Sequence, residues 1–187
     1  KNIAMLKDIA KGKYHHVSMV IKPLSIANVT LPHDVKTVKI AKGARLFSDM
    51  DSVVTDFAAE LKGMNAYVLN SKQQRDSATK IEFKCETPVH LLVGYFRDDQ
   101  MKYAKAPKLE IDATANDYGQ AEPMITSAIL IDGMPQVNLY KYDFNAGSHA
   151  LLLPKGILLV LGYTSGNITQ RDAGLSGTDK AIDWLFY

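Results

Sequence analysis

Histidine and cysteine side chains could bind a transition-metal ion such as zinc. The chain has five histidines and one cysteine, Cys85. His15 and His16 are adjacent, and adjacent side chains on a strand point to opposite faces, so the two do not converge on one ion. The remaining histidines stand alone, and no H-E-x-x-H or H-x-E-x-H spacing occurs. We therefore expect structural or solvent-exposed histidines rather than a metal centre.

Nucleophilic chemistry has no signature in this sequence either. There is no G-x-S-x-G serine elbow, no G-x-G-x-x-G loop and no Walker loop. Cys85 ends the apolar face of an alternating segment, where a free cysteine usually packs as a small core residue. A single cysteine also excludes a disulfide within the chain and a zinc site built from cysteine pairs.

Paired carboxylates can hydrolyse glycosidic bonds or bind calcium, and the 20 acidic residues offer several close pairs. Asp98–Asp99 and Glu110–Asp112 are such pairs, but nothing singles out one of them as catalytic. Asp49 and Asp51 are the candidates for a structural calcium ion, because calcium takes carboxylate oxygens from loops, although EF-hand spacing is absent. Calcium is the only cofactor that the sequence leaves open, and solvated loop charge is the competing interpretation.

Aromatic residues beside charged ones indicate a binding surface. Sugars present apolar C–H faces that stack on aromatic rings, while their hydroxyls bond to planar polar side chains. There are five ligand-binding candidates. Tyr95, Arg97 and Asp98 lie at the end of the apolar run at residues 89–96, Tyr103 lies in the long polar stretch after it, and Trp184 lies in the terminal WLFY. Core packing is the competing interpretation for Tyr95 and Trp184, and an ordinary loop surface is the competing interpretation for Tyr103.

Composition is that of an ordinary globular domain. The 187 residues are 47% apolar and 22% charged, which fits one medium domain with a packed core. A net charge of +2 with scattered lysines argues against a nucleic-acid partner. The longest apolar run, Ile157–Tyr163, is far shorter than the ~20 residues of a membrane-spanning helix. The chain opens at Lys1 without a signal-peptide pattern, as expected of a mature product or a piece of a longer protein.

The predicted elements are almost all strands. Residues 1–12 place apolar side chains one helical turn apart before Gly12, which predicts a short amphipathic helix, and Thr55–Gly63 predicts one or two further helical turns. Short apolar or alternating runs with frequent turns predict an all-β fold, an antiparallel β-sandwich or jelly roll. We divide the chain into residues 1–28, the N-terminal helix and a connecting strand, and residues 29–187, the sandwich domain.

Three segments are predicted as hairpins. The first, SATKIEFKCETPVHLLVGYF, joins a half-buried strand to a more apolar one through Pro88 and is predicted as the sandwich centre. An Asp132-Gly133 turn and the Pro-Lys-Gly turn at residues 154–156 predict the other two. The polar stretch 99–122 is a candidate binding loop because of its length.

Three segments resemble small β-sandwich modules attached to secreted bacterial carbohydrate-active enzymes, of the galactose-binding-domain-like jelly-roll type. They cover most of residues 35–165 and read GARLFSDMDSVVTDFAAELKGMNAYVL, IEFKCETPVHLLVGYFRD and YDFNAGSHALLLPKGILLVLGY. Leu109 stands where such modules often carry an aromatic residue. The resemblance implies a carbohydrate-binding module, exported from a bacterium (secreted or periplasmic) and covalently linked to a catalytic domain.

The leading hypothesis is a non-catalytic carbohydrate-binding or accessory module of an exported glycan-degrading system. Two alternatives stay open, because a fold does not determine a function. One is a polysaccharide hydrolase or lyase on a jelly-roll scaffold, with two carboxylates, or a carboxylate and a histidine, converging in one cleft. The other is a structural or protein-interaction spacer domain, with a broad apolar patch near residues 1–12.

Overall fold

The computed structural model describes residues 21–108 and 122–176, and these form the predicted all-β sandwich. One α-helix, α1 (Ser71–Asp76), and a 3₁₀ turn at Ala59–Leu61 interrupt the strands. The strands are β1 (Thr37–Lys39), β2 (Val54–Phe57), β3 (Asn65–Tyr67), β4 (Thr79–Cys85), β5 (Val89–Phe96), β6 (Ile125–Ile131), β7 (Val137–Phe144), β8 (Gly147–Leu153), β9 (Leu159–Thr164) and β10 (Arg171–Asp172). None of the helices within these ranges is long and apolar enough to cross a bilayer.

Strand β5 is an interior strand of the largest sheet, in which the strand order is β10-β6-β7-β5-β9 and β2 also pairs with β6. It pairs antiparallel with β7 along its whole length and with β9 on its other side. Strand β10 runs parallel to the start of β6. All residues of β9 and nearly all of β5 are buried, as expected of strands that are covered on both faces.

Each face of this central sheet packs against a different layer. A separate two-stranded sheet of β4 and β8 covers one face and contributes the inward side chains of Ile81, Phe83, Leu151 and Leu153. Residues 40–66 cover the other face, with side chains that include Ile40, Leu46, Phe47, Leu61 and Met64. The core is therefore divided in two by the central sheet.

Two of the three predicted hairpins are wrong. Strand β4 pairs with β8 and not with β5, and β9 pairs with β5 and not with β8. The chain instead crosses between the two sheets at residues 86–88 and again at 154–158. Strands β4 and β8 alternate between exposed and buried residues, which suits an outer layer, whereas β5 and β9 are buried on both sides. The β6–β7 hairpin is confirmed, with Gly133 in its turn at φ +67°.

Of the two helical predictions, the structure describes only the segment Thr55–Gly63. Thr55–Gly63 contains one helical turn, the 3₁₀ turn at Ala59–Leu61, while the first part of this segment belongs to β2. The N-terminal helix of residues 1–12 lies outside the described residues. The following segment packs on the sandwich: Ala27 N–H donates to Tyr163 O at 3.0 Å, and Thr30 bridges Lys84. The division at residue 28 stays a prediction.

Candidate functional site

The two tyrosines predicted to stack on a ligand, Tyr95 and Tyr103, lie in the core. Tyr95 is 1% exposed, and its hydroxyl lies 2.7 Å from that of Tyr142. Tyr103 is 5% exposed, and its ring centre lies 4.8 Å from that of Phe96. The neighbouring Ala104 N–H donates to Ile157 O at 3.1 Å, and this hydrogen bond holds the segment that contains Tyr103 against the sheet. Because neither ring has an open face, the stacking prediction is wrong for both residues.

Asp98 and Trp184 are the next two candidates. The Asp98 carboxylate accepts a hydrogen bond from Gln100 N–H at 2.7 Å. Such a bond two residues along the chain stabilises a turn, so this carboxylate oxygen is used locally. Trp184 lies outside the described residues, and its binding role stays a prediction.

Asp49 caps helix α1 rather than sharing an ion site with Asp51. Its carboxylate accepts from Ser71 N–H at 2.8 Å, from Ser71 Oγ–H at 2.8 Å and from Lys72 N–H at 3.0 Å. Burial raises the pKa of Asp49, but these bonds outweigh burial and leave the pKa below its ordinary value. Asp51 is 95% exposed and pairs with Arg45 at 3.2 Å. Among the described residues, no three His, Cys, Asp or Glu side chains are grouped to hold a metal ion.

Arg97 is the predicted site residue that joins a polar cluster. Its backbone N–H donates to Gln136 O at 2.8 Å as β5 ends. Its Nη1 donates to Gln136 Oε1 at 3.1 Å and reaches Ser127 Oγ at 3.5 Å. We call this group the Arg97 cluster, and its members are Arg97, Ser127, Gln136, Asn138 and Asp172.

Ser127 has a strained backbone at the centre of the Arg97 cluster. Its φ of +49° makes it the one non-glycine residue with a positive φ in the described ranges. The strained residue lies within a register shift between β6 and β7 at residues 125–129. Ser127 N–H donates to the side chain of Asn138, at Oδ1, over 3.1 Å. Bulges and strained residues of this kind re-aim side chains and are frequent at functional sites.

Asp172 supplies the negative charge of the Arg97 cluster. Hydrogen bonds from Gly174 N–H and from the hydroxyls of Thr126 and Ser127 lower the pKa of Asp172, and Arg97 adds to this. A guanidinium, an ionised carboxylate and the amides of Gln136 and Asn138 therefore lie together where β5, β6, β7 and β10 meet. These groups donate to and accept from hydroxyls, and the guanidinium also binds carboxylates.

Substitutions of Ser127 test the strain. Ser127→Gly should change the free energy of unfolding by less than about 1 kcal/mol, because glycine adopts positive φ without penalty. Ser127→Val should cost at least about 2 kcal/mol, since a β-branched residue at positive φ adds strain; both variants lose the hydroxyl, so the difference between them reports the strain. Urea unfolding of both variants measures the difference. Equal losses in the two variants would contradict a strained backbone at this position.

Arg97 could be found from the sequence because it directly follows the central strand. Ser127, Gln136, Asn138 and Asp172 were missed. Thr126-Ser127 interrupts the apolar run of β6, and this polar pair was the available signal for a bulge. Asp172 had no local signal, because its role depends on β10 returning to pair with β6.

A cavity of about 530 Å³ lies beside α1 and shares no residue with the Arg97 cluster. It is lined by Pro32, residues 34–36, Ser48, residues 67–70, Gln73, Gln74 and residues 77–82. We call it the α1 groove. A smaller cavity of about 360 Å³ lies over the ion pair of Glu60 and Arg171.

Comparison with solved structures finds a strong similarity to part of a carbohydrate-active enzyme. The chain is 46% identical to part of a GH138 enzyme targeting pectin rhamnogalacturonan II, with a TM-score of 0.85. The match covers 93% of this chain and 20% of the enzyme, so the chain spans about a fifth of that enzyme's length. A β-glucuronidase from glycoside hydrolase family 2 matches over 79% of this chain and 15% of the other chain. Its identity of 12% and its TM-score of 0.48 carry no argument about this chain. Neither the protein-family models nor the curated proteins give a match.

Proposed function

We propose that this chain is a non-catalytic accessory domain of a larger carbohydrate-active enzyme, and that it contacts an acidic polysaccharide through the Arg97 cluster. The observation that carries the proposal is the 46% identity over 93% of the chain to a segment of a pectin-targeting enzyme. A covalently linked catalytic domain and an exported, bacterial location belong to this proposal, as does the galactose-binding-domain-like assignment.

The chemistry of the Arg97 cluster fits an acidic glycan. Rhamnogalacturonan carries a sugar acid, galacturonate, and a guanidinium binds a carboxylate through parallel N–H donors. Arg97 is exposed, and Asp172 and the two cluster amides can bond to ring hydroxyls. Side chains on the ends of paired strands are held in place better than those on long loops, which favours a defined binding geometry.

The hydrolase or lyase alternative requires two carboxylates, or a carboxylate and a histidine, that converge in one cleft. Of the acidic residues considered from the sequence, Asp49 caps α1, Asp98 closes a turn and Asp51 pairs with Arg45. Each of these three carboxylates is bound by a local partner, and none of them supports a shared catalytic cleft.

Removing the Arg97 guanidinium should weaken binding of galacturonate-rich pectin fragments by about 10- to 100-fold, the range for a charge-assisted hydrogen bond. Isothermal calorimetry on the full chain with Arg97→Ala measures this loss. Arg45→Ala is the matched control, because Arg45 is also exposed and pairs with a surface carboxylate. Binding that both variants retain equally, or folded wild-type protein that binds no pectin fragment, would contradict the proposal.

A further inference from the structure

The walls of the α1 groove combine apolar and uncharged polar groups. Pro32 and Val35 lie on one side, and the exposed side chain of Gln73 lies on the other, with Ser77 and Thr79 beyond it. Sugar rings have the same mixed character, with C–H faces and a rim of hydroxyls. The volume of about 530 Å³ falls within the usual size range of small-ligand sites, roughly 300–1,000 Å³.

The charges around the α1 groove balance. Asp34 and Lys36 line one part of it, and Lys80 and Glu82 line another. Lys80 Nζ lies 2.8 Å from Glu82 Oε1, so these two charges compensate each other. A groove without excess charge suits a neutral ligand, because it offers a sugar acid no excess positive charge.

Gln74 lies in the groove wall with an amide oxygen that has no donor. The side chain is 3% exposed, and its Nε2 donates to Thr79 Oγ1 and to Leu158 O, both at 3.3 Å. Its Oε1 is the one buried side-chain oxygen or nitrogen without a hydrogen bond among the described residues. A buried acceptor without a donor is unfavourable, and a rotation of this amide toward the groove would let a ligand hydroxyl supply the donor.

From the lining, the charge balance and the Gln74 acceptor, we infer that the α1 groove is a second saccharide site, which binds neutral sugar residues. The inference rests on the proposed carbohydrate-directed function but uses different residues. A domain with both sites would hold a branched glycan at an acidic residue and at a neutral residue together. Two linked contacts raise the overall affinity without strengthening either one.

The test is an NMR titration of the full ¹⁵N-labelled chain with neutral di- and trisaccharides of galactose, arabinose and rhamnose. The side-chain amide signals of Gln73 and Gln74 should shift on binding. Ala78→Trp should abolish these shifts, because Ala78 is exposed in the groove and an indole would fill it. Gln73→Ala should weaken binding by about three- to tenfold, as expected for one neutral hydrogen bond.

Arg75→Ala is the matched control on the same helix, because Arg75 is exposed and does not line the groove. Binding unchanged in Arg75→Ala and lost in Ala78→Trp would support the groove. If no neutral sugar shifts the Gln74 amide, or if Ala78→Trp binds as wild type does, the groove inference is overturned. Pectin-fragment binding that depends on Arg97 would then still support the proposed function, so the two failures are distinguishable.

Discussion

Replacing Gly156 with alanine should destabilise the domain by at least about 4 kcal/mol, a loss at the extreme of single substitutions. An added Cβ would lie 2.4 Å from Ala104 N and 2.6 Å from Ala104 Cα. Both are backbone atoms, so the overlap cannot be relieved by rotating a side chain. The φ of +118° adds strain for any residue with a side chain. Urea unfolding monitored by fluorescence measures the change in the free energy of unfolding.

Gly43→Ala is the control for this substitution. Gly43 also has a positive φ, +85°, but a Cβ there would meet no atom within 4 Å. Its cost should be about 1–2 kcal/mol, from backbone strain alone. Equal losses at the two glycines would show that the close approach at Gly156 contributes nothing.

The contact at Gly156 joins three parts of the chain that surround the candidate sites. Gly156 N–H donates to Gln74 O at 2.7 Å, which ties α1 to the crossing between β8 and β9. The adjacent Ile157 N–H donates to Lys102 O at 2.8 Å, which holds the segment that buries Tyr103. We therefore expect Gly156→Ala to disturb both the α1 groove and the packing of Tyr103.

The layers of the sandwich could be predicted from the sequence, but the strand pairing could not. Alternation in residues 79–85 indicates an outer strand, and the apolar run in residues 89–96 indicates a strand covered on both faces. Short connections usually join neighbouring strands, so a hairpin was the natural prediction. The chain crosses between sheets instead, and β5, whose residues are nearly all buried, pairs with β7 on one side and with β9 on the other.

The candidate site was predictable only where it is local. Arg97 directly follows the apolar strand in the sequence, and in the structure it lies immediately after the end of β5. Ser127 and Asp172 reach Arg97 through the β6 bulge and the parallel pairing of β10, and both are long-range features. Tyr95 and Tyr103 illustrate the opposite error, because a tyrosine beside charged residues is equally suited to a core in which its hydroxyl or ring finds a buried neighbour.

The buried ion pair of Glu60 and Arg171 should be the strongest polar contribution to stability that one substitution can remove. Arg171 Nε and Nη2 donate to the two Glu60 oxygens at 2.6 and 2.8 Å, and the side chains are 15% and 9% exposed. Arg171→Met leaves a buried carboxylate without its partner, which should cost about 3–5 kcal/mol at pH 7. A Glu60→Leu/Arg171→Met double variant should recover most of this loss, because the unpaired charge is then gone.

The pH dependence separates this explanation from a simple packing defect. Burial raises the pKa of Glu60, but the hydrogen bonds from Arg171 outweigh burial and leave the pKa below its ordinary value of 4.5. The pair therefore stabilises the wild-type fold above about pH 4.5, and this contribution is lost as the pH falls through the lowered pKa. In Arg171→Met, burial dominates and raises the pKa of Glu60, so acidification protonates the carboxyl and removes the penalty. Urea unfolding between pH 7 and pH 4 should show the two stabilities converging, whereas a constant gap would mean that Arg171 acts through packing alone.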